Sequence, residues 1–100
     1  MTPSEHLRLA AALIADEKRW TREFTARDVM GEPCEPDSPD ACQWCAVGAL
    51  AKTAQNCRWN YLDKFVSVYG DALSDMNDIK GHAYTIGAMM FVADKLDGLA

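Results

Sequence analysis

The chain has 100 residues, of which 49% are hydrophobic and 25% are charged, and ten Lys and Arg against fifteen Asp and Glu give it a formal net charge of −5. This length suits one domain over residues 1–100, and the composition is too apolar for a disordered protein and too acidic for a general nucleic-acid binder. No apolar run reaches the roughly 20 residues that a membrane-spanning helix needs, so we expect no membrane association.

A first helix is predicted from residue 3 to about residue 19. Thr2 to Glu5 form a capping box, in which the Thr2 hydroxyl accepts from the backbone N–H of Glu5, and Pro3 suits the first helical position. Apolar residues then recur at helical spacing: Leu7, Ala10, Ala11 and Ile14.

A long loop is predicted over residues 21–38, because Gly31, Pro33 and Pro36 interrupt any periodic pattern. Within this loop, residues 21–29 are compatible with either a short helical turn or a strand.

A second helix is predicted from 39 to about 55, since Ser38-Pro39-Asp40 combines a cap, a first-turn proline and a first-turn acid. This stretch is apolar nearly all round, which indicates a central, buried helix. A glycine inside a helix costs about 1 kcal/mol. We therefore expect Gly48, with Ala49, to face another helix at close range.

Two further helices are predicted, one over 58–69 that ends at Gly70 and one over about 80–97, with an acidic connector over 71–78 between them. The inward positions of the last helix are expected to be Ala83, Ile86, Met89, Met90, Ala93 and Leu96. No stretch alternates as a strand would. The predicted fold is a single all-α domain, a small four-helix bundle around the central helix at about 39–55.

The aromatic and amide side chains have structural interpretations. Trp20, Trp44 and Trp59 occur at helical spacing with other apolar residues, which favours core packing. Asn77 and Asp78 bond readily to nearby backbone groups, so their simplest role is to end the connector and cap the last helix.

The stretch from Trp44 to Leu50, followed by Asn77-Asp78 and then Gly81, resembles a small uncharacterised family found in phages and actinobacteria. The pattern of that family is Trp-Cys-Ala-x-Gly-Ala-Leu and then Trp-Asn-Asp, and this chain has Met76 where the second tryptophan stands. The resemblance spans residues 7–96 and marks a structural motif of six residues: Trp44, Cys45, Gly48, Ala49, Asn77 and Asp78. It implies a phage or host-associated origin and no particular activity.

Four cysteines are candidates for metal or disulfide chemistry, namely Cys34, Cys42, Cys45 and Cys57. Residues 1–5 lack the basic-then-apolar order of a secretion signal, so we expect a cytoplasmic protein with reduced cysteines. Separations of seven residues between the first two cysteines and eleven between the last two match no paired zinc-knuckle pattern. We predict no bound metal and no cofactor.

A catalytic set can be assembled from Cys45 as nucleophile, His82 as base, and Asp78 or Asn77 to orient the imidazole. The predicted helix places Cys45 nearly two turns from its start, in an apolar run that disfavours the thiolate. A packed core thiol is therefore the favoured interpretation. We expect Cys34, in the loop, to be the most accessible thiol and Cys45 to be closed to reagents.

Candidate binding residues lie in the acidic loop and in the last helix. Glu32, Glu35 and Asp37 belong to a stretch, residues 31–45, that has no Lys or Arg. Met89-Met90-Phe91 cannot all face one core, so Met89 or Phe91 is expected at a surface or a partner interface.

These features predict a small phage-type accessory protein that binds a host macromolecule, with a host or phage protein as the expected partner and no direct contact to nucleic acid. The alternative is a cysteine-dependent enzyme or small-ligand binder that uses Cys45 with His82 and Asp78. A weaker third hypothesis is a nucleic-acid mimic, although a net charge of −5 is small for that role.

Overall fold

Helices form most of the structure, a computed structural model that describes residues 2–54, 70 and 72–98. The elements in chain order are α1 (Pro3–Leu13), a 3₁₀ turn (Glu17–Arg19), β1 (Ala26–Arg27), β2 (Gln43–Trp44), α2 (Ala46–Thr53), α3 (Leu73–Asp75), a π-helical turn (Met76–Lys80) and α4 (His82–Leu96). The predicted helix over 58–69 lies outside the described residues.

The start of α1 confirms the predicted capping box. Thr2 is the N-cap, and its Oγ1 accepts a hydrogen bond from the backbone N–H of Glu5 at 3.2 Å. The helix ends at Leu13, so the predicted end at residue 19 is wrong.

The early end of α1 follows from two contacts beyond it. The carbonyl of Ile14 accepts from Nε2 of His82 at 2.6 Å. The carboxylate of Asp16 accepts from the backbone N–H of Lys18 at 3.0 Å and caps the separate 3₁₀ turn. A second cap so close to the helix interrupts the helical path, although the residues around it have good helix propensity.

The predicted start of the second helix is wrong. Ser38 makes a local turn in which its Oγ accepts from the N–H of Asp40 and its carbonyl accepts from the N–H of Ala41. The chain then runs extended, and β2 pairs antiparallel with β1. Helix α2 begins only at Ala46, with Cys45 as its N-cap.

The core forms where α2 and α4 each pack against α1. Its largest fully buried apolar side chains are Leu7, Ile14, Leu73, Met89 and Val92. On α4 the buried positions are Thr85, Ala88, Met89, Val92 and Ala93, whereas Ala83, Met90 and Leu96, which were expected to face inward, are exposed. Met89 is therefore a core residue, and the prediction that counts it as a binding residue is wrong.

An ionic contact joins α1 to α4. Arg8 binds Asp94 at 2.8 Å and Asp97 at 2.6 Å, and the Ser4 hydroxyl donates to Asp97. The Ser4 hydroxyl and the Arg8 guanidinium lower the pKa of Asp97. All three charged side chains are partly exposed to solvent, so this contact adds little to stability and mainly sets how the two helices are aligned.

The connector predicted over 71–78 is helical from Leu73 onward, because Leu73 and Met76 are buried in the core and hold α3 and the π-helical turn against it. Gly81 has φ of +93°, a conformation that side chains rarely adopt, and it separates the π-helical turn from α4. Its carbonyl accepts from both the N–H and the hydroxyl of Thr85. Helix α4 therefore begins within two residues of the predicted start.

The strands β1 and β2 form a hairpin, and Gly48 faces this hairpin and not another helix. A Cβ at this position would lie 1.8 Å from the carbonyl oxygen of Thr25, just before β1. The same carbonyl accepts from the N–H of Cys45. The expectation of a close helix–helix contact at Gly48 is thus wrong, whereas Ala49 is fully buried as expected.

We predict that Gly48→Ala lowers the free energy of unfolding by about 1–3 kcal/mol, because its Cβ displaces backbone in a packed contact. Gly87→Ala is the matched control, since a Cβ there meets no atom within 4 Å. This control should raise stability by about 0.5–1 kcal/mol through helix propensity. Urea denaturation checks both, and equal stabilisation by the two changes contradicts the contact with Thr25.

Candidate functional site

Asn77 is fully buried in the π-helical turn, and its amide makes four hydrogen bonds. Its Oδ1 accepts from Nε1 of Trp20 at 2.7 Å and from the backbone N–H of Ala46 at 3.0 Å. Its Nδ2 donates to the Thr21 carbonyl at 3.0 Å and to the Asp78 carboxylate at 3.1 Å. These bonds use the full hydrogen-bonding capacity of the amide, so Asn77 connects three segments and is not a simple helix cap.

Residues 20–25 pass beside Asn77 and Asp78, which bind this segment at several points. The Asp78 carboxylate accepts from the backbone N–H of Glu23 at 3.0 Å. Glu23 has φ of +73°, a left-handed conformation that costs free energy for a residue with a side chain. The guanidinium of Arg22 lies 5.0 Å from the centre of the Trp20 ring. The neighbouring contacts thus hold this segment in one conformation.

Cys45 lies at the N-terminus of α2, not two turns inside a helix as predicted. Its Sγ accepts from the backbone N–H of Gly48 at 3.3 Å. Burial raises the pKa of the thiol; the N–H groups of Gly48 and Val47 oppose this rise, and the Asp78 carboxylate adds to it. Burial thus disfavours the thiolate for the reason the apolar sequence suggested, although the predicted position of Cys45 within the helix is wrong.

The structure does not join His82 and Asp78 to Cys45 as a catalytic set. Nε2 of His82 contacts the Ile14 carbonyl, and the ring lies 5.4 Å from that of Trp20. Asp78 binds backbone and amide groups as described above. In the part of the chain that the structure describes, neither side chain forms a hydrogen bond to the thiol.

A tight turn, the hairpin tip over residues 28–32, presents two large apolar side chains to solvent. Val29 is 86% exposed and Met30 is 81% exposed. Asp28 fixes the turn: its carboxylate accepts from the N–H groups of Met30 and Glu32, its carbonyl accepts from Gly31, and its N–H donates to Glu32. Arg27 adds a bond to the Gly31 carbonyl at 2.9 Å.

The sequence interpretation missed Val29 and Met30 as binding candidates. Asp28 at the first position and Gly31 at the fourth position are typical of a type I turn. The two residues between them occupy the corner of such a turn, where side chains point to solvent. The pattern over residues 28–31 could therefore have predicted that Val29 and Met30 are exposed. The strand alternative for residues 21–29 is confirmed by β1.

The predicted acidic residues Glu32, Glu35 and Asp37 are all exposed. Glu35 and Asp37 line one open depression of about 340 Å³, together with Thr25, Pro36 and Ala51. The Pro36 carbonyl accepts from Nε1 of the buried Trp44 at 2.8 Å, which fixes this part of the loop to the core.

Phe91, the other predicted binding residue, is 42% exposed on α4. It lines a separate shallow groove with Tyr84, Gly87 and Ala88. Nζ of Lys95 lies 5.5 Å from the centre of the Phe91 ring. The structure therefore does not bring Phe91 into the acidic depression.

The cysteines differ in exposure in an order that the sequence did not predict. Cys42 is exposed, Cys34 is half-buried against the core, and Cys45 is buried; Cys57 lies outside the described residues. Burial raises the pKa of Cys34, and the carboxylates of Asp28, Asp40 and Glu35 raise it further. Cys42, and not Cys34, is thus the most accessible described thiol.

Across residues 2–54 and 72–98, no three His, Cys, Asp or Glu side chains come together in a group that could hold a metal ion. None of the described helices has the length and apolar character to cross a membrane.

Comparison with known proteins places the chain in a family. A family model described as a family of unknown function, DUF6197, matches residues 1–86, and the chain belongs to this family. The matched residues include Cys45, Asn77 and the hairpin tip. No curated protein and no solved structure matches the chain.

We predict that Asn77→Ala lowers the free energy of unfolding by about 3 kcal/mol or more. It removes the partner of the Trp20 and Ala46 N–H groups and of the Thr21 carbonyl, and each unsatisfied buried group costs about 1–3 kcal/mol. Asp78→Ala is the control: this exposed residue loses bonds at the surface, so we expect a loss of less than about 1.5 kcal/mol. Chemical denaturation checks both, and equal losses contradict a central role for the amide.

We predict that, among the three described thiols, a mild alkylating reagent labels Cys42 first, Cys34 later and Cys45 last, because the order follows exposure and Cys45 reacts only when the structure opens. Peptide mapping after brief labelling of the folded protein reads this order. Cys42→Ser should remove the fastest labelling among these three thiols. Fastest labelling of Cys45, slowed by His82→Ala, contradicts the packed-thiol interpretation and favours the enzyme.

Proposed function

We propose that this protein is a small phage-type accessory protein that works in the host cytoplasm by binding another protein, from the host or the phage. The observation that carries this proposal is the hairpin tip, where Val29 and Met30 stand 86% and 81% exposed. These are the most exposed of the large hydrophobic side chains in the described residues. Burial of two such side chains in a partner supplies a substantial driving force for association.

The turn is already ordered before any partner arrives. The backbone and side-chain bonds of Asp28, with the bond from Arg27 to Gly31, hold the two side chains outward. A binding loop that is fixed in advance loses little conformational entropy on association. This preorganisation supports recognition of a specific partner surface.

The contacts of the alternative catalytic set also support binding over catalysis. Sγ of Cys45 caps α2, Nε2 of His82 contacts the end of α1, and Asp78 holds the segment 20–25. Each of the three groups therefore binds another part of the fold. A catalytic set would instead require the nucleophile, the base and the orienting acid to contact one another.

Photo-crosslinking tests the proposal. The protein is produced in its host cells with a photo-reactive apolar amino acid in place of Met30. In the control protein, the same amino acid replaces the exposed Lys18. We expect one defined protein, identified by mass spectrometry, to crosslink at position 30 and not at position 18. Crosslinking to nothing, or equally from both positions, contradicts the proposal.

A second measurement uses the purified crosslinked protein. Val29→Ser with Met30→Ser should weaken its affinity by about tenfold or more, and should leave the melting midpoint unchanged because both side chains lie in solvent. Ile79→Ser, which alters an apolar residue 74% exposed elsewhere, is the matched control and should bind as the wild type does. Unchanged affinity of the double variant contradicts a role for the hairpin tip.

A further inference from the structure

The acidity of the hairpin loop defines the chemistry of its partner. Residues 28–40 contain five carboxylates and no Lys or Arg: Asp28, Glu32, Glu35, Asp37 and Asp40. We propose that the loop docks on a basic protein surface, with an apolar pocket that takes Val29 and Met30 and with a Lys or Arg that enters the depression between Glu35 and Asp37. This inference rests on the proposed function and names the class of its partner.

The negative charge of the loop has no cation to pair with in the described part of the chain. There the ion pairs join Arg8 to Asp94 and Asp97, and the loop carboxylates form none. The nearest cation in sequence, Arg27, binds the Thr21 hydroxyl and the Gly31 carbonyl, and its guanidinium lies 4.6 Å from the centre of the Phe24 ring. The Asp28 carboxylate binds backbone N–H groups of the turn. The carboxylates available to an external cation are therefore Glu32, Glu35, Asp37 and Asp40.

The same carboxylates converge in space as well as in sequence. Asp28, Asp40 and Glu35 all lie close enough to Cys34 for their charges to raise the pKa of its thiol. Glu35 and Asp37 share the wall of one depression. Several carboxylates on one surface attract a cationic partner, which favours association with a basic surface.

The backbone fixes the spacing between the apolar and the acidic parts of the surface. Pro33 pairs with Arg27, and the N–H of Cys34 donates to the Ala26 carbonyl, so the chain between Glu32 and Glu35 runs extended beside β1. At about 3.3 Å per residue, Glu35 lies about 10 Å from Glu32 at the hairpin tip. The apolar tip and the acidic depression are therefore held at a fixed separation, and the partner must match it.

This chemistry distinguishes a basic protein from the other macromolecules that an exposed apolar tip could contact. Phosphate backbones and anionic lipid headgroups carry the same sign of charge as the loop and are repelled by it. A protein surface rich in Lys and Arg is attracted, and its affinity depends on ionic strength because the charges lie at the rim of the contact.

Variants in which three carboxylates are replaced by neutral amides test the inference, in the protein that carries the photo-reactive amino acid at position 30. The loop variant is Glu32→Gln with Glu35→Gln and Asp37→Asn; the matched control is Glu5→Gln with Glu17→Gln and Asp75→Asn, which removes the same charge from exposed acids outside the loop. Each carries the crosslinker at position 30. The readouts are the yield of adduct, the identity of the crosslinked molecule and, with that molecule purified, the affinity between about 50 and 500 mM salt.

We expect the loop variant to reduce adduct yield and affinity by about tenfold, the control to change them less than about twofold, and salt to weaken wild-type binding. Equal binding by all three proteins, without salt dependence, overturns the inference and leaves the proposed function standing. An adduct to nucleic acid or lipid also overturns it. No adduct from any of the three proteins contradicts the proposed function itself.

Discussion

The buried amide of Asn77 is the interaction on which the arrangement of this protein depends. One side chain satisfies two donors and one acceptor from two distant segments, residues 20–21 and Ala46, and so joins both to its own segment. A buried polar group is tolerated only when its hydrogen bonds are made, so the amide admits one relative placement of the three segments. The other features of the site follow from that placement.

The start of α2 is the first of those features. Asn77 accepts from the N–H of Ala46, and the Thr25 carbonyl accepts from the N–H of Cys45, so two distant groups bind the free donors at the helix N-terminus. The close approach of Thr25 is possible because Gly48 has no side chain. The apolar, small-residue character of this stretch therefore serves a contact between a helix and a hairpin. The thiol of Cys45 is enclosed as a result.

The hairpin links this scaffold to the proposed function. Its base is tied to α2 through Thr25 and to the core through Trp44, while its far end carries Val29 and Met30 in solvent. Rigid support beneath an apolar tip, together with carboxylates that form no ion pair within the described residues, is the arrangement expected of a surface that recognises another protein. The polar groups of Cys45 instead bind Gly48 and Thr25 within the protein, and these bonds help to hold the fold together.

Features that depend on neighbours within one or two turns follow from residue order alone. Thr2 and Glu5 specify the start of α1 because their bonds are local, and the apolar period with Gly81 specifies α4 within two residues. The acidity of the loop, and the suppressed thiolate that burial of Cys45 produces, were likewise accessible from residue types. These interactions need no information about distant parts of the chain.

Three features depend on contacts between distant segments: the start of α2, the buried face of α4 and the role of Asn77. Ser38, Pro39 and Asp40 can make the same local bonds in a turn as in a helix cap, and pairing of β2 with β1 selected the turn. The partners of Asn77 lie 31 and 57 positions away, beyond the reach of any local pattern. A hydrogen bond between such distant groups forms only when the fold brings them together, so residue order alone could not reveal it.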